Sequence, residues 1–153
     1  MGHEVLGFDF CPSAIEEARA RSATVFGEAI ARGGGNASFV EASCLDLEAS
    51  PVAAAAARCR GFPLALDSAL AHCLDDAAQR RYVAELARVV RVGGRVYLGC
   101  FSDANPDPWQ NPRRLSEAHI RKLFAAPTWR VASIVPAWYR PRRPETRLSS
   151  ILD

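Results

Sequence analysis

Short apolar runs alternate with one-sided helical stretches along most of this chain, and no other feature constrains its fold as much. Val5 to Phe8, Ser38 to Glu41, Phe62 to Leu66, Arg95 to Phe101 and Trp129 to Trp138 read as strands. A helix from Pro12 carries Ile15, Ala18, Ser22, Phe26, Ala29 and Ile30 on one face and stops at Gly33-Gly34-Gly35. Pro12 suits its first turn, and Ser13 with Glu16 suggests a capping box. A second, Ala-rich helix spans Pro51 to Arg60. The third is capped by Asp75 or Asp76, shows Tyr82, Leu86, Val89 and Val90 on one face, and stops at Gly93-Gly94. Ser116 opens the fourth, which runs to about Ala125 with Ile120, Leu123 and Phe124 inward. Asn105 to Pro112 holds three prolines and reads as a loop. The expected fold is α/β, a Rossmann-like, mainly parallel sheet with helices on both faces, in one domain over residues 1–153.

Ligands of such sheets bind beyond the carboxyl ends of the strands. Here those ends carry Asp9-Phe10, Ser43-Cys44, Asp67-Ser68 and Ser102-Asp103. A carboxylate at the first of them suits the two hydroxyls of a ribose. The plainer alternative makes Asp9 a helix cap and Phe10 a core aromatic. Gly33-Gly34-Gly35 does not suit a phosphate loop, because it follows a helix and precedes a strand.

Charge and cysteine usage narrow the classes further. A net charge of +2 gives no general affinity for nucleic acid or anionic membrane. Arg140, Arg142 and Arg143 read as a solvated loop. The five cysteines (Cys11, Cys44, Cys59, Cys73 and Cys100) form no CxxC pair, so reduced thiols, mostly small core residues, are expected. No apolar run approaches the roughly 18 residues of a membrane span, and no stretch has a signal-peptide layout. The expectation is a soluble, cytoplasmic protein, with neither nucleic acid nor membrane as a partner.

The segment Val5-Leu6-Gly7-Phe8-Asp9-Phe10-Cys11-Pro12-Ser13-Ala14-Ile15 resembles the second strand–helix unit of class I S-adenosylmethionine (SAM) dependent methyltransferases. Leu66-Asp67-Ser68-Ala69-Leu70-Ala71-His72, a helix, Val92-Gly93-Gly94-Arg95 and the strand ending Cys100-Phe101-Ser102-Asp103 resemble the thiopurine methyltransferase-like, small-molecule group. The resemblance implies a SAM-dependent methyltransferase with a sulfur, oxygen or nitrogen acceptor. It implies that Asp9 holds ribose, that Phe10 and the Cys44 N–H meet adenine, and that Ser43 assists. Asp67 then lies near the methionine end of SAM, His72 faces the acceptor or supports its pocket, and Trp109 lines it. Departures from the family pattern are Ser43 in place of Asp, Val92 in place of Pro, and Pro63 where Asp is usual. A metal site from His72, Asp75 and Asp76 is disfavoured.

The same resemblance implies a first strand and glycine-rich loop ahead of Val5, where only Met1 to Glu4 stand. The expected fold is therefore an N-terminally truncated class I methyltransferase, with the first strand missing between those ending at Asp9 and Asp67. Five buried apolar residues contribute roughly 7–15 kcal/mol, against a net domain stability of about 5–15 kcal/mol. Open strand edges would then invite a second copy or a partner chain. The other function class consistent with the sequence is a non-catalytic, methyltransferase-like subunit.

Overall fold

In the computed structural model, residues 2–25, 27, 35–106, 108 and 111–137 are described. Expectations resting on Phe26, Ala29, Ile30, Gly33, Gly34, Trp109, Trp138 and Arg140 to Arg143 lie outside those residues. Among these residues, four strands and four α-helices follow in order: β1 His3–Asp9, α1 Pro12–Val25, β2 Gly35–Glu41, α2 Pro51–Arg58, β3 Phe62–Ser68, α3 Asp76–Val89, β4 Val90–Gly99 and α4 Glu117–Leu123. A 3-10 turn, Ala71–Cys73, precedes α3. No helix among the described residues is long and apolar enough to cross a membrane.

The strands form two parallel pairs, β1 with β2 and β3 with β4. In the first pair Gly7 lies beside Phe39 and Phe8 beside Val40. A Cβ at Gly7 would stand 2.7 Å from the Phe39 ring, so the ring occupies the space that the glycine leaves. Leu6, Phe8 and Val40 point to the opposite face, where they pack on the cluster that includes Val52 and Ala56 of α2. The Arg19 guanidinium of α1 donates to the Phe39 carbonyl at 2.8 Å, and α1 flanks Ala37 and Phe39. Thus α1 and α2 lie on opposite faces. Ala65 of β3 and Val96 of β4 join the α2 cluster, so both pairs rest on one core. Leu47, with no exposure at all, is its most enclosed apolar side chain.

Crossover handedness then orders the strands. A right-handed β1–α1–β2 unit sets β2 on one side of β1. The next crossover uses the other face, so right-handedness carries β3 back past β1. The open edges of β1 and β3 therefore flank the point where the winding reverses, and no backbone hydrogen bond joins these two strands.

Local chemistry explains the element ends. The Ser50 side chain accepts from the Val52 N–H, Asp75 from Ala78 and Ser116 from His119, each capping its helix. The Ser13–Glu16 capping box is not formed. With Pro12 in the first helical position, Cys11 is the cap, and its carbonyl accepts from Ala14 and Ile15. Gly93-Gly94 does not stop α3 either, because the chain passes directly from Val89 into β4. The two glycines sit in a bulge: Phe62 pairs with Val90 but Leu64 pairs with Arg95, so β4 holds the extra residues. Residues 129–137 form no ladder, contrary to the strand expected there. The Trp129 N–H is taken by the Ala125 carbonyl at 3.0 Å, its indole packs edge-on against Phe124, and Pro136 has no N–H to offer. All five cysteines are free, and none is fully buried.

Two glycines with positive φ separate strain from crowding. Gly93 has φ 77° and open space where a Cβ would go, so Gly93→Ala should cost about 1 kcal/mol. At Gly61, φ is 86° and a Cβ would lie 2.8 Å from the Arg91 backbone. Gly61→Ala should therefore cost a further 1–3 kcal/mol or so. Leu47→Ala should cost about 2–5 kcal/mol. Urea unfolding of the three variants checks this ranking.

Candidate functional site

The carboxyl ends of β1, β2 and β3 meet around Cys44. Burial raises the Cys44 thiol pKa, and the charges of Asp67 and Asp9 raise it further, so both carboxylates lie within electrostatic reach of one sulfur. The Ala42 N–H donates to the Asp9 carbonyl at 2.9 Å, joining the ends of β1 and β2. Beside this junction the Asp9 carboxylate is exposed. Its Oδ1 accepts the Cys11 N–H at 2.8 Å, and its other oxygen has no partner among the described residues. Phe10 is 76% exposed, which removes the core-aromatic alternative. Ser43 Oγ accepts the Leu45 N–H at 3.2 Å, and among the described residues the Cys44 N–H bonds none but its own thiol. Asp9 and Phe10 at the end of β1 and Ser43 after β2 are thus exposed and Cys44 half-buried, with one carboxylate oxygen of Asp9 unengaged among the described residues.

Asp67 and His72 are built differently. Asp67 is 5% exposed at the end of β3. One carboxylate oxygen accepts the Leu70 N–H at 2.8 Å and the other the Ala71 N–H at 3.1 Å. The Tyr82 hydroxyl of α3 donates to it as well. Burial nevertheless pushes the Asp67 pKa above the ordinary carboxylate value, the three hydrogen bonds opposing it. The Tyr82 phenol is raised too, by burial first and then by the Asp67 charge.

His72 is 2% exposed. Its Nδ1 accepts the Phe101 N–H at 3.1 Å, and its ring packs on Phe101 with centroids 4.9 Å apart. An imidazole that accepts a backbone N–H must be neutral at that nitrogen. Burial lowers the His72 pKa, with the Asp67 charge and a bond to the Ala69 backbone pulling the other way. His72 therefore anchors the start of the segment after β4, and its ring faces the interior.

Sequence reasoning placed Tyr82 on the buried face of α3 and did not assign it a partner. A Tyr on an apolar helix face needs a partner for its hydroxyl, and that signal was available. Gln79 is wholly buried three residues earlier: its Nε2 donates to the Ala71 carbonyl at 2.8 Å, and its Oε1 accepts from His119 Nε2 at 2.6 Å. The turn after β3 is thus held by Asp67 from below and Gln79 from above. Trp109 lies outside the described residues.

No family model matches the chain, and no curated protein matches it. A solved structure from work on the conversion of a disulfide bond into a thioacetal group during echinomycin biosynthesis is similar. The likeness has a TM-score of 0.54 at 24% identity and covers 82% of this chain. The chain spans 62% of the length of that structure. This is a likeness of fold, and it agrees with an α/β, Rossmann-like arrangement.

Two substitutions test the turn. Asp67→Asn sets an amide NH2 against a backbone N–H and should destabilise the protein by about 1–3 kcal/mol. His72 is neutral when folded, so its contribution is complete above its unfolded value of about 6.5 and is lost as pH falls through the lowered folded value. His72→Asn keeps an acceptor for Phe101 but does not titrate, so it should flatten that slope in urea midpoints between pH 7 and 5. Asp67, whose pKa is raised, contributes the opposite slope: its share is complete below about 3.8 and is lost as pH rises through the folded value.

Proposed function

We propose that the chain is a SAM-dependent methyltransferase domain for a small-molecule acceptor, and that the open rim at Asp9 to Cys44 holds the adenosine part of SAM. One observation carries the reading. A half-engaged carboxylate and a 76% exposed phenylalanine stand side by side at the end of β1, where the winding of the strands reverses. Neither a core aromatic nor a helix cap explains both. The free oxygen of Asp9 suits ribose hydroxyls, the Phe10 ring offers a face to adenine, and the Cys44 N–H and Ser43 complete that end.

SAM, when bound, supplies an electrophilic sulfonium methyl group. A soft acceptor such as a thiol needs orientation more than a strong base to take it, and the interior position of His72 agrees with that economy. Among sulfur, oxygen and nitrogen acceptors, sulfur is favoured by the similar structure, whose reported chemistry is at sulfur. Asp67 contributes by fixing the Leu70–Ala71 turn beside the methionine end of the cofactor. Its oxygens are engaged within the chain. His72 supports the acceptor side through Phe101.

A second reading, a non-catalytic methyltransferase-like subunit, draws on the unpaired edges of β1 and β3. It predicts no SAM affinity in any form of the protein. Calorimetric titration with SAM and S-adenosylhomocysteine separates the two, using the chain as given and a version extended ahead of β1. Binding is expected to be weak in the first and stronger in the second. In the extended form Asp9→Asn, which keeps the bond to Cys11, should weaken binding by roughly 10- to 100-fold through loss of a charge-assisted hydrogen bond. Heat signals absent from both forms would overturn the methyltransferase reading.

A further inference from the structure

We infer that the groove between α2 and the start of β4 is a docking surface for an acidic segment of another protein. Arg60 and Arg91 take its carboxylates, and Val92 meets an apolar side chain beside them. The surface lies at the amino ends of β3 and β4, away from Asp67, and it does not depend on the cofactor reading.

The groove has a volume of about 460 Å3. Ala53 and Ala57 of α2 line one side and Val89 and Val90 the other, and its cations are Arg60, Arg88 and Arg91. These arginines are unequally served. Arg88 is held by Glu48 and Glu85. Arg60 and Arg91 are exposed and make no ion pair or side-chain hydrogen bond among the described residues. Backbone packing nevertheless holds their segments together, because a Cβ at Gly61 would lie 2.8 Å from the Arg91 backbone. Two like charges therefore stand on touching stretches of chain. Such a pair repels itself, and an anion set against both relieves the repulsion.

Offsetting helix dipoles does not account for this pair. Arg58 and Arg88 occupy the last turns of α2 and α3, where a cation is favoured. Arg60 and Arg91 lie beyond those turns. The closing carbonyls of α2 are also occupied, that of Ala56 by the Cys59 and Gly61 N–H groups and that of Ala57 by Arg60.

The bulge adds the apolar part. Phe62 pairs with Val90 and Leu64 with Arg95, so Arg91 to Gly94 stand opposite Pro63 alone. Val92, within this loop, has a relative exposure of 104%, the highest of the large apolar side chains among the described residues. A valine wholly in water beside two unpaired guanidinium groups suits a contact in which charge steers the partner and an apolar side chain anchors it. A second copy does not suit the groove, because a two-fold axis there would set Arg60 and Arg91 against their own equivalents. Complementary charge calls for aspartate or glutamate, and the apolar walls call for leucine-like side chains between them.

The test is fluorescence anisotropy of the full chain with a labelled peptide of repeated Glu-Glu-Leu triplets, compared with its Gln-Gln-Leu counterpart. The acidic peptide is expected to bind, less tightly as salt rises, and the neutral one is not. Arg60→Glu and Arg91→Glu should each weaken binding roughly fivefold or more, and Val92→Ser should weaken it as well. Arg21→Glu makes the same change of charge on α1 and should leave binding unchanged. Neither Arg60 nor Arg91 has a partner to lose among the described residues, so the urea midpoints of their variants should not fall. Amide exchange should slow across Arg91 to Gly94 when the acidic peptide binds.

Equal affinity for the two peptides, no binding of the acidic one, or an equal loss in Arg21→Glu would each overturn the proposal. Tighter binding of a single-stranded oligonucleotide or of phosphatidylserine vesicles through the same arginines would do so too, as would a dimer dissolved by Val92→Ser. SAM affinity should be the same in Arg91→Glu as in the unaltered protein, so this proposal and the cofactor reading fail separately.

Discussion

Everything in this molecule depends on one apolar cluster that does what hydrogen bonds do not. β1–β2 and β3–β4 share no backbone bond, and isolated two-stranded pairs are marginal in water. Leu47, Val52, Ala56 and Val89 cluster with Val90 of β4, and Leu6 and Phe8 from one pair and Phe62 and Ala65 from the other pack against them. The segment Ala42 to Arg58, lying between the two pairs in sequence, supplies much of that cluster. Glu85 reinforces it by accepting the Glu48 N–H at 2.9 Å, while Arg88 bridges Glu48 and Glu85.

A polar counterpart controls the carboxyl ends. Asp67 gathers Leu70, Ala71 and Tyr82, and Gln79 ties the same turn to His119. These buried groups reach across β3, α3 and α4, so the shape of the turn is set by several elements at once. At Asp9 the backbone carbonyl is tied to Ala42, while the carboxylate makes only the local bond to the Cys11 N–H. The molecule therefore combines a rigid half, around Asp67 and His72, with an open half whose polar groups are available to a ligand.

Much of this was legible in the sequence because it is local. Pro51, Ser50, Asp75 and Ser116 mark helix starts through their own chemistry, and the apolar runs at Val5 and Phe62 mark strands. Three features were not legible. Gly93-Gly94 is a stop signal in isolation, but β3 pairs with β4 on both sides of it and turns it into a bulge. Trp129 to Trp138 has strand composition, yet through residue 137 it finds no ladder, because Trp129 is drawn toward Val83 and Phe124. The roles of Asp67 and His72 depend on partners 15 and 29 residues away, Tyr82 and Phe101. A one-dimensional reading sees an acidic strand end and a histidine; only the fold shows that both face inward.

The contact between Gly7 and Phe39 has a consequence of its own. A hairpin fixes strand alignment through its turn, but β1 and β2 are joined by a long crossover that transmits no such information. A phenyl ring seated in the notch of a residue without a side chain works as a mechanical detent. Sliding either strand by two positions would drive that ring against Val5 or Asp9, and sliding by one would turn it to the wrong face. The alignment that puts Asp9 level with Glu41 is thus set two residues upstream by an empty space.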